Sequence, residues 1–507
     1  MFVCFWFPLA HHLQVMQSTW KENLFRGVKA LADNVKFLHF PNAKKSTDVA
    51  SRQSNGSTVI NISCQLSNLA QIDRNEIMTP IPRLQKWDST LDLLRDPYRF
   101  ISRNCQNEQS DLFEARLLLQ KTYCMRGQEA AQVFYDPDLF SRKGAAPKAV
   151  MKTLFGEGGV QSLDEDAHRH RKQMFLSIMT TEQIEQLRVL TERQLTAEVP
   201  HWKDMPEVPL YEEFQRVLTM AVCEWAGVPL ADSEVRLRTK QLTSLFNDAA
   251  KIGMGHIRAR LARRQTNAWI TDLIQQIRDK QVSLPEHSPA LKITWHRNLK
   301  NELLEPQVAA VELLNLLRPV VAISVYMTLI AHALHFHPGY REKLKSGSDE
   351  YETAFVQEVR RYYPFFPFTA AIVQTYFEWN GYEFPRGKRV LLDLYGTNHD
   401  SRIWKEPDLF QPDRFLQREP TPYDFIPQGG GEYAANHRCP GEWITVSLMK
   451  LTSRFLTQAI RYKVRDQKLE IDFSQMPALP RDQFVVSSVQ AIGSVTASLS
   501  RSQRVRI

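Results

Sequence analysis

The residues best suited to chemistry in this chain lie in FIPQGGGEYAANHRCPGEW, residues 425–443. Gly429, Gly430 and Gly431 permit backbone conformations and close approaches that other residues resist. Cys439 follows, then Pro440 and Gly441, and EWITVSLMKLTSRF (442–455) reads as a helix. A cysteine at a helix N-terminus is favoured as thiolate by the dipole and the free N–H groups. His437 and Arg438 add cationic neighbours. A thiolate is a nucleophile or a metal ligand. A phosphate-binding loop is excluded, because no Gly-Lys-Ser/Thr follows the glycines. A Cys/His hydrolase needs an imidazole aimed at the sulfur, and His437 is poorly placed for that on the same loop. An inert buried cysteine stays open. A haem thiolate ligand would explain the glycines, the cations (for haem propionates) and the helix dipole together.

A second chemical oddity is Arg318 within ELLNLLRPVVAISVYMTLIAHALHF, residues 312–336. Pro319 removes a backbone hydrogen bond and kinks the predicted helix. A buried guanidinium without an anion is strongly unfavourable. Read on its own, Arg318 pairs with Glu312 or another acid of the fold. Glu358 and Arg361 stand at i and i+3 on one predicted helix face. By themselves they read as a surface salt bridge worth well under ~1 kcal/mol.

HRCPG in its glycine-rich setting resembles the cysteine-ligand loop of cytochromes P450, and more specifically that of the bacterial fatty-acid peroxygenase branch. That branch shares the long separation of Phe425 from Cys439. Glu358-Val-Arg-Arg361 resembles the ExxR pair of the family, and Phe410-Gln-Pro-Asp-Arg-Phe415 its PxRF stretch. The resemblance spans roughly Met78 to the C-terminus. It implies a mainly α cytochrome P450 fold with a small β region, and haem b held through Cys439 as axial iron ligand. It also implies a structural lock of Glu358, Arg361 and Arg414.

Most relatives carry an acid–alcohol pair in the kinked helix; the peroxygenase branch has Arg-Pro there, matched by Arg318-Pro319. The resemblance therefore implies a fatty-acid carboxylate paired with Arg318. That carboxylate would act as the acid/base for hydrogen peroxide, the co-substrate. Phe155 and Gln161 match positions facing the substrate; taken alone they read as a core Phe and a solvated Gln. Gln161 goes with hydroxylating rather than alkene-forming members. Phe365 and Phe366 stand where close relatives have Phe-Gly, and the extra ring of Phe366 is expected to narrow the pocket. His168, Lys172 and Arg142, with His437, match positions near the haem propionates. His168 and Lys172, at i and i+4, share a helix face.

The elements that must position these groups are mostly helical. The chain has 507 residues, a net charge of +8 and 43% hydrophobic residues, enough for a large core. Helices are predicted over 110–121, 180–199 (opened by the capping pattern TTEQ), 208–225, 233–246 and 266–281. Strands are predicted over 371–374, 376–384, 389–392 and 484–486. The apolar run 308–336 contains Glu312, Asn315, Arg318 and Pro319, costly in lipid, and reads as a core helix. Residues 1–77 read as an N-terminal extension, disordered or from a mis-assigned start, with a polar loop at 42–58. The haem domain then runs over 78–507. The six cysteines suit neither a zinc site nor a disulfide framework, so a reducing, cytoplasmic setting is expected. The basic balance is spread along the chain, so no nucleic-acid partner is expected. Neither an integral membrane anchor nor a redox partner is expected. The expected function is peroxide-driven α/β-hydroxylation of long-chain fatty acids. Alternatives are decarboxylation to a terminal alkene, a reductase-dependent monooxygenase, and a haem-binding sensor without turnover.

Overall fold

The computed structural model describes residues 80–251 and 253–493. The expectations for residues 1–77 lie outside the described residues. The longer helices are α1 (Glu165–Ile178), α2 (Thr181–Asp204), α3 (Leu210–Ala226), α4 (Asp232–Asn247), α5 (Met254–Arg278), α6 (Pro306–Ala322), α7 (Ser324–Phe336), α8 (Asp349–Tyr362) and α9 (Glu442–Arg454). The mainly α architecture with small sheets is the one expected.

Local sequence explains several boundaries. Thr180 caps α2 by accepting from the Gln183 N–H at 3.3 Å, as the TTEQ pattern predicts. Ser348 caps α8 in the same way through the Tyr351 N–H. Gly227 ends α3 in the left-handed conformation, φ 77°, which glycine adopts without steric cost. The predicted 208–225 helix starts two residues late, because Val208–Pro209 forms a strand edge. The 266–281 helix is the second half of the longer α5.

The apolar run forms α6 and α7, interrupted only at Ile323. Pro319 sits inside α6, one turn before the break. By length and composition the pair could cross a bilayer, but it is largely buried inside the fold, as a core helix should be. Its neighbours include α3, α4, α5, α8 and α9. Residues from all of these helices form one large apolar core.

Residues 110–121 depart from the expectation. They are not a helix but part of an antiparallel hairpin, β1 (Leu112–Leu117) and β2 (Gln120–Met125). Leu, Glu, Ala and Arg favour a helix locally, yet β2 pairs in parallel with β8 (Arg389–Asp393), and burial against that distant partner overrides propensity. With β3 (Phe140–Ser141) and β5 (Phe368–Val373), these strands make a five-stranded sheet in the order β1-β2-β8-β5-β3. β4 (Val208–Pro209), β10 (Val485–Ala491) and β9 (Ile460–Val464) form a second sheet. β6 (Phe377–Trp379) and β7 (Tyr382–Phe384) form a hairpin where one strand region was predicted.

Candidate active site

The cysteine loop is held by its own backbone and by two distant segments. The Cys439 N–H donates to Gln428 O at 3.3 Å, and the Gly431 N–H to Pro422 O at 2.9 Å. A Cβ at Gly430 would lie 2.6 Å from Ile426 Cγ2 and 2.7 Å from Pro422 O, so only glycine fits there. Asn436 Nδ2 donates to Tyr135 O at 2.8 Å. Lys172, from α1, donates to Asn436 O and, at 2.9 Å, to Arg438 O.

The helix that follows the cysteine is anchored by charge. Glu442, in the first turn of α9, accepts from Arg360 Nη2 at 2.5 Å and Arg438 Nε at 2.6 Å. Arg438 is therefore committed to Glu442 and is not a dedicated partner of the sulfur. Burial pushes the Cys439 thiol up; the Gly441 N–H, Lys172 and Arg360 oppose that, and Glu442 adds to it. Desolvation thus opposes the charge that the helix terminus and the nearby cations favour.

Flanking Arg360 in α8, Glu358 and Arg361 form a fully buried pair at 2.7 and 2.8 Å. Glu358 Oε1 also accepts from the Gln411 N–H at 2.7 Å and Arg414 Nε at 3.3 Å. Arg361 spends its remaining donors on the carbonyls of Asn398, Pro407 and Leu409. The surface-salt-bridge reading is thereby replaced by an interior cluster.

Arg142, His168, His437 and Asp164 line a small cavity of about 40 Å³ together with Tyr135 and Asn436. His168 and His437 stack with ring centroids 3.8 Å apart. Burial pushes His168 down to about 3 and His437 down to about 4. Both are neutral at pH 7, so His437 does not supply the cation expected of it. Burial works against Asp164, but His437, Ser141 and the N–H groups of Arg142 and Lys143 hold its carboxyl below the usual range. Arg142 donates to Thr369 Oγ1 and Ala370 O at 3.0 and 2.8 Å. Burial lowers it, and pushes Lys172 down to about 8. A buried Lys172 and a half-buried Arg142, held mainly by neutral acceptors beside a thiol, fit an anionic prosthetic group such as haem with its propionates.

Arg318 is 6% exposed. Among the described residues no carboxylate pairs with it; its guanidinium donates to Leu154 O. Burial, then the like charge of Arg263, push it down to about 9, while Cys439 opposes that. Glu312, the partner expected from sequence alone, is taken by Arg171 Nη1 at 2.5 Å and Asn315 Nδ2 at 3.2 Å. Asn315 Nδ2 also donates to Gln161 Oε1 at 3.1 Å. Gln161 is therefore tied to the helix that carries Arg318 and is not simply solvated. Phe155 closes a single π-turn, Met151–Phe155, whose last carbonyls face Arg318 and Arg263. Phe365 stacks on Tyr326 at 4.4 Å. Phe366 packs edge-on against Phe365 but is 42% exposed, so its ring is not enclosed by protein.

Arg171, Arg263, Asn315, Arg360 and Glu442 were missed by sequence reasoning. Only Asn315 left a signal: Glu312, Asn315 and Arg318 fall three apart on one face of an apolar helix. Arg360 and Glu442 lie inside the ExxR and cysteine-loop stretches, but their pairing joins segments 82 residues apart; Arg171 and Arg263 reach the site from distant segments.

Comparison with known proteins agrees with this fold. The family description Cytochrome P450 matches residues 350–486. The structure of cytochrome P450SP alpha (CYP152B1) in complex with (R)-ibuprophen is 49% identical, covers 80% of this chain and 99% of that one, and superposes with a TM-score of 0.78. Wild-type cytochrome P450EX alpha (CYP152N1) with myristic acid is 45% identical, covers 82% and 100%, and gives 0.79. Curated relatives align more briefly: the taxane 10-beta-hydroxylase of Taxus cuspidata is 30% identical over 185 residues, and the chain spans only 36% of its length and 32% of its own. The chain belongs to the cytochrome P450 family of haem-thiolate oxidoreductases, and within it to the CYP152 group.

Proposed function

We propose that the protein is a peroxygenase that hydroxylates long-chain fatty acids at the α or β carbon with hydrogen peroxide. The observation that carries this reading is Arg318, a buried guanidinium that, among the described residues, has no acid partner and donates to a backbone carbonyl. A carboxylate entering there would gain a bidentate, charge-assisted pair in apolar surroundings. Haem b at Cys439 would supply redox chemistry, its thiolate favouring O–O cleavage of peroxide. Arg318 orients the substrate so that its α and β carbons lie nearest the reacting centre. The carboxylate it holds takes a proton from peroxide and returns it to the leaving oxygen. Asn315 fixes the Gln161 amide beside this position, and Gln there goes with hydroxylation. No reductase is required. The unpaired cysteines among the described residues, Cys105, Cys124, Cys223 and Cys439, support a reducing, cytoplasmic setting.

The test is haem-loaded protein with myristic acid and hydrogen peroxide, without reductase, and products identified by mass spectrometry. An α- or β-hydroxy acid is expected. Arg318→Leu should lower turnover about a hundredfold or more, as expected for losing charge-assisted hydrogen bonds, while haem binding is kept. A terminal alkene would overturn the reading of Gln161. Turnover only with an electron donor and dioxygen would indicate a reductase-dependent monooxygenase. Bound haem without any product would indicate a sensor.

A further inference from the structure

A second buried arginine in this region has no place in the reaction just described. Arg263 comes from α5 and is 4% exposed. Its Nη2 donates to Phe155 O at 2.9 Å. Its Nε and Nη1 are buried without partners. The guanidinium lies against Gly156, where φ is +86° and a Cβ would collide with it. Glu312 is the acid that most influences Arg263, but its hydrogen bonds go to Arg171 and Asn315.

Two neighbouring carbonyls of one turn are therefore gripped by two different guanidiniums: Leu154 by Arg318 and Phe155 by Arg263. If a substrate carboxylate takes Arg318, the Leu154 carbonyl loses its donor, and Arg263 alone keeps hold of the turn. We propose that Arg263 is a positioning residue that fixes the 151–161 turn, and with it the site of oxidation on the acyl chain, while Arg318 exchanges the Leu154 carbonyl for the substrate carboxylate. The inference rests on the fatty-acid reading for its substrate, but not for the holding of the turn.

Stability does not explain Arg263. A buried charge satisfied by one neutral acceptor costs more than a well-packed apolar chain of similar length, and residues kept against stability cluster at functional sites. Replacing Arg263 with an apolar residue should therefore leave the fold as stable or more so, yet loosen the turn.

The experiment uses haem-loaded protein carrying Arg263→Met, Arg263→Lys or Gly156→Ala. The first readout is hydrogen–deuterium exchange of residues 151–161, with and without myristic acid. The second is the ratio of α- to β-hydroxylated product, with Tm and haem content recorded alongside. Arg263→Met should keep Tm and haem content, exchange faster in 151–161, most of all with myristic acid bound, and shift the product ratio about two- to tenfold, the range of one lost hydrogen bond. Arg263→Lys, which can still donate to the Phe155 carbonyl, should recover most of the wild-type ratio. Gly156→Ala should act in the same direction as Arg263→Met. Unchanged exchange and product ratio in Arg263→Met would overturn the proposal, and so would a large drop in Tm, which marks a structural role. Absence of hydroxylated product from the unmodified protein would refute the fatty-acid reading instead, leaving the exchange result to decide on the turn.

Discussion

Glu358→Gln isolates the value of the buried cluster in α8. The substitution keeps shape and removes one charge. Three of the four donors converge on Oε1: Arg361 Nη2, the Gln411 N–H and Arg414 Nε. An amide oxygen placed there can keep all three. The fourth, Arg361 Nε, meets Oε2 at 2.7 Å, and in the variant it would face an N–H₂ group, donor against donor. One charge-assisted hydrogen bond is lost, and Arg361, whose side chain is 0% exposed, loses its countercharge. Breaking a buried pair in this way costs about 3–5 kcal/mol, or roughly two to four decades in the unfolding constant. A surface pair would cost under ~1 kcal/mol. Urea unfolding followed by circular dichroism and by haem absorbance would measure the difference. Arg361→Met and the double variant would complete a mutant cycle, in which the double variant should be less destabilised than the sum of the singles. A loss below ~1 kcal/mol in Glu358→Gln, or strict additivity in the cycle, would refute the reasoning.

Gly430→Ala should cost about 1–3 kcal/mol through overpacking, because its Cβ meets the Pro422 carbonyl at 2.7 Å and Tyr135 Cε2 at 2.9 Å; haem absorbance per mole of purified protein should fall, and full loading with wild-type Tm would contradict this. Asp393 caps a short helix through the Gly396 N–H at 2.6 Å, and burial pushes its carboxyl up to about 7 against that bond and Arg126. A raised carboxyl favours the protonated fold, so its contribution is fully present below about pH 4 and is lost as pH rises towards 7, at most about 4 kcal/mol. Asp393→Asn keeps the cap acceptor without ionising and should flatten Tm between pH 4 and 7; parallel Tm curves for the two proteins would rule out a titrating Asp393.

What could be read from the sequence was what is local. The cap at Thr180 and the kinked apolar helix with Arg318-Pro319 are short-range signals, and the cysteine loop carries its own glycines. The 112–117 strand was misread because its residues favour a helix and its partner lies far along the chain. Charge pairing was equally hidden. Arg171 meets Glu312 across 141 residues, and Arg360 meets Glu442 across 82. The expected pairing of Arg318 with Glu312 was reasonable by spacing and failed because Arg171 arrives from α1. Burial and the nearby cations Arg142 and Lys172 lower His437, an effect that its place on the loop does not reveal.

The pairing of β2 with β8 has a consequence during synthesis. Gly127, just past β2, donates to Thr397 Oγ1, 270 residues further on. At ordinary rates of translation, about 15–50 s separate the emergence of β2 from that of the strand it needs. Over that interval the buried half of β2, Thr122 to Met125, has only β1 and the neighbouring segments 100–107 and 128–134 to lean on. The hairpin is thus a waiting half-sheet on the ribosome, and the chain is most exposed to strand-mediated aggregation before its C-terminal third has been made.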